Sequence, residues 1–308
     1  MTSSLGRRAL LVLVALIWAV SWPVIKVGVS TMPPLWFACL RYLIAAGCLF
    51  AFVASRRAFA FPPRADWPLV AMSAVLQLAA YSALTGIALT VLPPGRASVL
   101  AFSTPIWVVP LAAWRLGERL SRSGLLGVVL GLAGALVIAS PSLQAGDRQL
   151  VSYALLMGAA GAWAISIVFV RAHRFSASAL ELAPWQMLAA AGILLPLALL
   201  VEGRPPRIDS SAALSLAYVG PVATAFAYWA VVEVGRHFPA STVSMALLAA
   251  PGLGILISAL TLGEEVGLSL AGGAILIGVG IRLATRPAGR ATVPDPIGSS
   301  SIAGQGNR

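Results

Sequence analysis

The sequence predicts an all-α integral membrane protein with ten transmembrane helices, arranged as two five-helix repeats of inverted topology. Three observations predict this fold: an apolar composition, ten apolar segments long enough to span a bilayer, and a repeat that runs through both halves. Hydrophobic residues make up 59% of the 308 residues and charged residues only 10%. A soluble domain carries roughly 25% charged residues to cover its surface, so this chain needs lipid as its solvent.

The ten spans follow from the length of the apolar segments. A transmembrane helix needs about 20 largely apolar residues, and the connections between these segments are short and rich in proline, glycine and charge. The predicted spans are residues 8–29, 35–54, 66–90, 95–115, 123–140, 149–171, 180–201, 211–235, 241–262 and 267–285. Residues 287–308, rich in Gly, Ser and Pro, are predicted to form a disordered cytoplasmic tail.

The arginine distribution predicts the orientation. If the connections alternate between two sides, one side collects most of the arginines. The other side holds Arg96, Arg148, Arg204 and Arg207, with Lys26 and Arg41 added if they extend that way. Positively charged connections face the cytoplasm, so both termini are predicted to be cytoplasmic.

A repeat relates the two halves of the chain. The segment Trp18-Ala19-Val20-Ser21 recurs as Trp163-Ala164-Ile165-Ser166, at an offset of 163 − 18 = 145 residues. Further along, Leu116-Gly117-Glu118 recurs as Leu262-Gly263-Glu264, at an offset of 262 − 116 = 146. The sequence therefore divides into a first repeat, residues 1–146, and a second repeat, residues 147–286.

The number of spans in each repeat determines their relative orientation. Five spans is an odd number, so the second repeat must enter the membrane from the side opposite to the first. Inverted repeats of this kind are typical of transporters that open to each side in turn.

The ordered motifs resemble the EamA branch of the drug/metabolite transporter superfamily. They comprise the two Trp-Ala-x-Ser segments, at 18–21 and 163–166, and the prolines at 105 and 251, each followed 13 residues later by a glutamate. The resemblance runs over residues 8–286 and is nearest to the bacterial aromatic amino-acid exporter type. It implies a ten-helix protein of the bacterial inner membrane, with a central cavity lined by spans 1, 3, 4, 6, 8 and 9. It also implies export of amino acids or related metabolites.

Aromatic and polar residues within the spans are the candidates for lining that cavity. Aromatic rings can stack on an apolar substrate, and hydroxyl or amide groups can orient its polar end. For the tryptophans an interfacial belt is the alternative role, and for the polar residues an interhelical hydrogen bond. The predicted substrate-binding residues are Trp18, Ser21, Trp22, Gln77, Tyr81, Ser98, Trp163, Ser166, Tyr228 and Ser244.

Two equivalent prolines are candidates for breaking or gating helices. A proline removes the hydrogen bond to the carbonyl four residues earlier, so Pro105 frees the carbonyl of Ala101 and Pro251 that of Leu247. A plain packing kink is the alternative. Glutamates 118 and 264 precede the fifth and tenth spans, where a carboxylate suits a helix N-terminus. Glycines at 127, 131, 134, 273, 278 and 280 predict close helix packing.

Several function classes lack the residues they need. The only lysine is Lys26, so no Walker A loop is present. No metal-ligand cluster, cofactor motif or nucleophile–base pair is visible, and the basic residues form no nucleic-acid-binding stripe. We expect no catalytic residues, no metal and no cofactor, and a monomer or weak dimer in the lipid bilayer that acts on a small molecule.

Two other functions remain as alternatives. A phosphorylated-sugar or nucleotide-sugar exchanger needs cations in its cavity, for which the candidates are Lys26 and Arg41. A membrane-embedded lipid-modifying enzyme needs a cluster of reactive side chains at one depth.

Overall fold

The protein is helical throughout the part of the chain that the structure describes, and no strand occurs there. The structure is a computed structural model that describes residues 4–56, 60–118, 121–141, 147–173, 176–238, 243, 247 and 249–285. Ser244 and the predicted tail at 287–308 lie outside the described residues.

The helices are numbered α1 to α10 in chain order. Eight of them are long and apolar enough to cross a membrane, and α9 and α10 are shorter apolar helices of 14 and 17 described residues. Their bounds are Ser4–Thr31 (α1), Pro34–Ser55 (α2), Arg64–Val91 (α3), Pro94–Leu116 (α4), Arg122–Ala139 (α5), Asp147–Ala172 (α6), Ala179–Val201 (α7), Ser210–Gly235 (α8), Ala249–Leu262 (α9) and Leu268–Ala284 (α10). The prediction of a multi-pass helical membrane protein is confirmed.

Helices α3 and α8 share an unusual feature. Each contains a π-helical stretch, Ser73–Ala80 in α3 and Val219–Phe226 in α8. Such stretches are rare and are often found at functional sites. The two stretches are related by an offset of 219 − 73 = 146 residues, the offset of the sequence repeat.

Helices α5 and α10 pack against each other through glycines. A Cβ atom added to Gly280 would lie 2.7 Å from the carbonyl oxygen of Gly127, and one added to Gly134 would lie 2.7 Å from that of Gly273. The helices are antiparallel, because the earlier glycine of α5, Gly127, contacts the later glycine of α10, Gly280, and Gly134 contacts Gly273. Gly278 was also predicted to pack closely. A Cβ atom added there has no atom within 4 Å, so that prediction was wrong.

The chain alternates between two faces of the helix bundle. We call the face at which α1 begins the terminal face and the face at which α1 ends the distal face. Hydrogen bonds across the bundle join elements at the same face: the Thr31 hydroxyl donates to Asp209 at the distal face, 3.3 Å, and the Ser176 amide donates to Asp66 at the terminal face, 3.1 Å.

Candidate functional site

Four of the predicted residues meet where α3 packs against α6. The ring of Trp163 meets the ring of Tyr81 edge-on, with centroids 4.7 Å apart. Along the same two helices, the buried Ser166 hydroxyl donates to Gln77 Oε1 at 3.3 Å. Gln77 belongs to the π-helical stretch of α3, and Tyr81 directly follows that stretch. The structure thus joins two aromatic and two polar candidates in one cluster.

The candidates in α1 lie at other contacts. Trp18 Nε1 donates to the carbonyl oxygen of Ala223 at 3.2 Å, within the π-helical stretch of α8. Ser21 is buried and donates to the carbonyl oxygen of Trp18 in its own helix, 2.7 Å. Trp22 is also buried and packs against Phe102 of α4, with ring centroids 6.3 Å apart. In this structure Ser21 therefore supports its own helix.

Two further candidates make their closest contacts at helix crossings. Ser98 is fully buried and donates to the carbonyl oxygen of Gly95, 2.8 Å. A Cβ on Gly254 of α9 would lie 3.2 Å from the Ser98 hydroxyl, so α4 and α9 cross here. The Tyr228 hydroxyl donates to the carbonyl oxygen of Ala179, 3.4 Å, at the start of α7. Ser98 and Tyr228 thus lie near opposite faces of the bundle.

Pro105 marks a break in α4. This helix consists of two parts, Pro94–Ala101 and Thr104–Leu116, with turns between them. The carbonyl oxygen of Ala101, which Pro105 leaves without its helical amide, accepts a hydrogen bond of 3.0 Å from the Thr104 hydroxyl. Pro251 is the third residue of the described part of α9. The sequence predicted the freed carbonyl but not the hydroxyl that binds it.

Arg41 of α2 is a partly buried residue for which the sequence suggested only a role as a cation for phosphate recognition. Its Nε donates to Thr224 Oγ1 at 2.8 Å, within the π-helical stretch of α8. Its guanidinium also lies 5.2 Å from the ring centroid of Tyr42. Only the tertiary contact between α2 and α8 reveals this placement.

A cavity of about 560 Å³ opens at the distal face. Its lining includes Lys26, Arg96, Glu264 and Glu265, two cations and two carboxylates. The Lys26 ammonium donates to the carbonyl oxygen of Leu89 at 2.6 Å. None of the predicted substrate-binding residues that the structure describes lines this cavity or a smaller one of about 230 Å³ beside Glu181 at the terminal face.

Glu264 closes one wall of the distal cavity. Its carboxylate accepts hydrogen bonds from the amides of Gly95 and Arg96, at 2.7 and 3.1 Å, which begin α4. Burial raises the pKa of Glu264, and the two amide donors with the nearby charges of Arg96 and Lys26 oppose that rise. The sequence predicted that Glu264 lies at the N-terminus of a helix. The predicted helix was the following span, α10, whereas the observed one is α4.

Glu118, the counterpart of Glu264, has a different partner. It forms an ion pair with Arg171 at the end of α6. The N-terminus of α5 is capped instead by Ser121, whose hydroxyl accepts from the Gly124 amide at 3.0 Å. The predicted role of Glu118 at the α5 N-terminus was therefore wrong for this structure.

Comparison with known families supplies the decisive observation. The sequence profile of the EamA-like transporter family matches the chain twice, over residues 8–140 and 150–286. The chain belongs to the EamA-like transporter family. The resemblance found in the motifs is thus confirmed, and so is the prediction that the chain is not an enzyme, since relatives in this family are named as transporters or efflux pumps.

Individual relatives of this EamA-like protein span almost its whole length. A protein of Salmonella typhimurium named "Probable amino-acid metabolite efflux pump" is 31% identical over 288 residues, covering 90% of this chain and 93% of the relative. A "Probable terminal-alkyne amino-acid exporter" of Streptantibioticus cattleyicolor is 29% identical, covering 90% and 92%. A solved crystal structure aligns with a TM-score of 0.61 at 21% identity, covering 92% of this chain and 97% of that one, and supports the fold.

Proposed function

We propose that this EamA-like protein is a secondary transporter that exports amino acids or related small metabolites from the cytoplasm of a bacterium. Its two halves, residues 1–146 and 147–286, would form five-helix repeats of inverted topology that expose a central site to each face in turn. The observation that carries this proposal is the repetition of the π-helical stretch at the offset of the sequence repeat, in the two helices that flank the tryptophans.

The packing of α5 on α10 supports an inverted relation between the halves. Under an offset of 146, Gly127 corresponds to Gly273 and Gly134 to Gly280. If each residue of the contact between Gly127 and Gly280 is replaced by its repeat equivalent, the result is the contact between Gly273 and Gly134. The structure contains both contacts. Two antiparallel helices with interchangeable contacts are related by a two-fold axis between them, as inverted repeats require.

Contacts at the two faces support the same relation. Thr31 and Ser176 are related by an offset of 176 − 31 = 145. The Thr31 hydroxyl bonds to Asp209 at the start of α8, and the Ser176 amide bonds to Asp66 at the start of α3, so an aspartate at the start of the third helix of each half is bonded at one face. With ten spans, both termini would lie on one side, which the arginine distribution makes the cytoplasm.

The cluster between α3 and α6 is the strongest part of the proposed substrate site. The rings of Tyr81 and Trp163 can contact an apolar side chain, and Gln77 retains an amide donor after its oxygen accepts from Ser166. Trp18, Ser21 and Trp22 of α1, with Ser98, Tyr228, Ser244, Pro105 and Pro251, complete the proposed site and its helix breaks. Their direct contact with substrate is part of the proposal.

The acidic residues support transport without proton coupling. A proton-coupled carrier usually needs an ionisable group deep in the membrane. Every acidic side chain that the structure describes lies at a helix end or in a connection, and Glu233, in the last turn of α8, lies beside Arg236 at 3.5 Å. The proposed export therefore runs down the gradient of the substrate itself.

The distal cavity itself is poorly suited to bind a phosphorylated sugar. Phosphate recognition needs an excess of cations. Lys26 and Arg96 share that cavity with Glu264 and Glu265, so its formal charge is balanced, and a phosphate dianion would meet two carboxylates there.

The direct test is flux in proteoliposomes. Purified protein would be reconstituted with a pH-sensitive dye inside the vesicles and assayed with a panel of labelled amino acids. We expect saturable counterflow of at least one apolar amino acid, with no substrate-dependent proton movement. No flux of any amino acid above protein-free vesicles would contradict the proposed function. Proton movement at a fixed stoichiometry, abolished by Glu233→Gln, would contradict only the uncoupled mechanism.

A further inference from the structure

A partly buried charge within the span of α2 defines the chemical class of the substrate more closely. Arg41 lies seven residues into α2, about 10 Å from the beginning of that helix at 1.5 Å per residue. Its Nε donates to Thr224 Oγ1, and its other N–H groups have no hydrogen-bond partner among the described residues. An arginine inside a membrane span that lacks a partner for most of its donors is a candidate for ligand binding.

Arg41 forms no ion pair with a carboxylate of the described residues. Among the described residues the ion pairs are those of Arg171 with Glu118 and of Arg236 and His237 with Glu233, all outside the centre. A charge in this environment is costly unless an anion accompanies it. The guanidinium fork matches the geometry of a carboxylate, to which it can donate two parallel hydrogen bonds.

The groups around Arg41 are neutral and partly aromatic. Tyr42, whose ring the Arg41 guanidinium faces, bonds to α3 one residue from Tyr81, and Tyr81 contacts the ring of Trp163. The Tyr42 hydroxyl lies 2.6 Å from the Ser82 hydroxyl, so it already has a partner. A ligand held at Arg41 would thus have an aromatic pair beside its side chain and only neutral oxygen atoms beside its other polar groups.

We propose that Arg41 binds the carboxylate of the transported molecule and that the Tyr81–Trp163 pair contacts its apolar side chain. This inference rests on the proposed transport function and makes it more specific. The α-ammonium group of an amino acid would find no carboxylate at the centre and would be repelled by Arg41. The substrates are therefore apolar monocarboxylates, for which the carboxylate is required and the amino group is replaceable by a hydroxyl.

Substrate analogues test this inference on the unaltered protein. Phenylalanine, leucine and methionine would each be compared with their 2-hydroxy acids and their amides as competitors for counterflow. The hydroxy acids should compete within about threefold of the amino acids. The amides, which lack the carboxylate, should compete about tenfold or more weakly, since a hydrogen bond between charged groups has that effect on affinity.

Variants of Arg41 provide the second arm. Arg41→Gln should lower the affinity for the acids about tenfold or more. The affinity of Arg41→Lys should lie between those of Arg41→Gln and the unaltered protein, because a lysine keeps the charge but lacks the planar guanidinium. Arg148→Gln, which removes one exposed positive charge at the start of α6, is the matched control and should leave affinity unchanged. Thermal stabilisation of the detergent-solubilised protein by the acids measures binding independently of flux.

The outcomes separate this inference from the proposed function. Amides that compete as well as the acids, or tight binding of the acids by Arg41→Gln, would overturn the role of Arg41 while transport stands. If no amino acid of the panel crosses the vesicle membrane, the proposed function fails, and the detergent measurement still decides whether Arg41 binds carboxylates. If Arg41→Gln does not fold, the analogue series decides alone.

Discussion

At the scale of single residues, equivalent tryptophans in the two repeats have different partners. Trp18 uses its indole N–H to bond a backbone carbonyl of α8, whereas Trp163 meets the ring of Tyr81. Their shared motif predicted that both lie in the interior, but the sequence could not distinguish these partners. The difference arises because the residues that face them, Ala223 and Tyr81, are not equivalent in the repeat.

Removing the ring of Trp163 should impair transport. Trp163→Ala deletes the aromatic contact with Tyr81, worth about 0.5–1.5 kcal/mol beyond burial, and removes a proposed substrate contact. We expect a several-fold fall in flux with membrane insertion retained, and a smaller fall for Trp163→Phe. Trp114→Ala, at a tryptophan that is 81% exposed, is the control. Normal flux at normal expression in both Trp163→Ala and Trp18→Ala would assign these rings to packing.

The carboxyl of Glu264 should make stability depend on pH. Burial raises its pKa in the folded protein, so folding favours the protonated form. Its contribution to stability is therefore greatest at low pH and is lost as pH rises through the folded-state pKa. The melting temperature of the unaltered protein, relative to Glu264→Gln, should rise as the pH falls from 7.5 to 4.5, the ordinary pKa of a glutamate. A difference that is constant, or that falls over this interval, would contradict the assignment.

At the scale of helices, apolar length predicted the long spans to within a few residues. The first eight predicted segments agree with α1 to α8 within four residues at each end. The sequence did not predict the π-helical stretches, because they depend on backbone hydrogen bonds that no residue pattern records. It did predict a break in the helix at Pro105, since a proline has no amide N–H and so removes one helical hydrogen bond.

The contact between α5 and α10 depends on particular glycines. At Gly280 an added Cβ would meet backbone atoms, 2.7 Å from the Gly127 oxygen and 2.8 Å from the Gly131 nitrogen. Gly280→Ala should therefore force the helices apart and cost about 1–3 kcal/mol, seen as a lower melting temperature in detergent. Gly278→Ala is the matched control, because its added Cβ meets no atom within 4 Å. Equal melting temperatures for the two variants would contradict this packing.

At the scale of the whole molecule, the repeat and the family were predictable from the sequence, whereas the centre of the site was not. The order of the Trp-Ala-x-Ser and Pro-to-Glu motifs was sufficient to place the chain in its family. The partner of Arg41 was not predicted because it depends on which helix lies beside α2. The contact of Arg41 with Thr224 joins residues 183 positions apart in the chain, a separation that local patterns cannot resolve.

The predicted orientation can be checked with reporter fusions. With ten spans and cytoplasmic termini, a reporter at Arg308 and one inserted within residues 142–147 should lie on opposite sides of the membrane. We expect a cytoplasmic signal from the first and an external signal from the second. Signals from the same side would contradict the ten-span topology.

The most direct test of alternating access is to lock the distal face. Gly95 and Glu264 are joined there by a hydrogen bond of 2.7 Å, so Gly95→Cys and Glu264→Cys could be joined by a short thiol cross-linker, with Cys39 and Cys48 first replaced by serine. The account predicts that cross-linking stops counterflow in proteoliposomes and that the same protein left uncross-linked transports. Undiminished flux through the fully cross-linked protein would contradict alternate opening of the two faces.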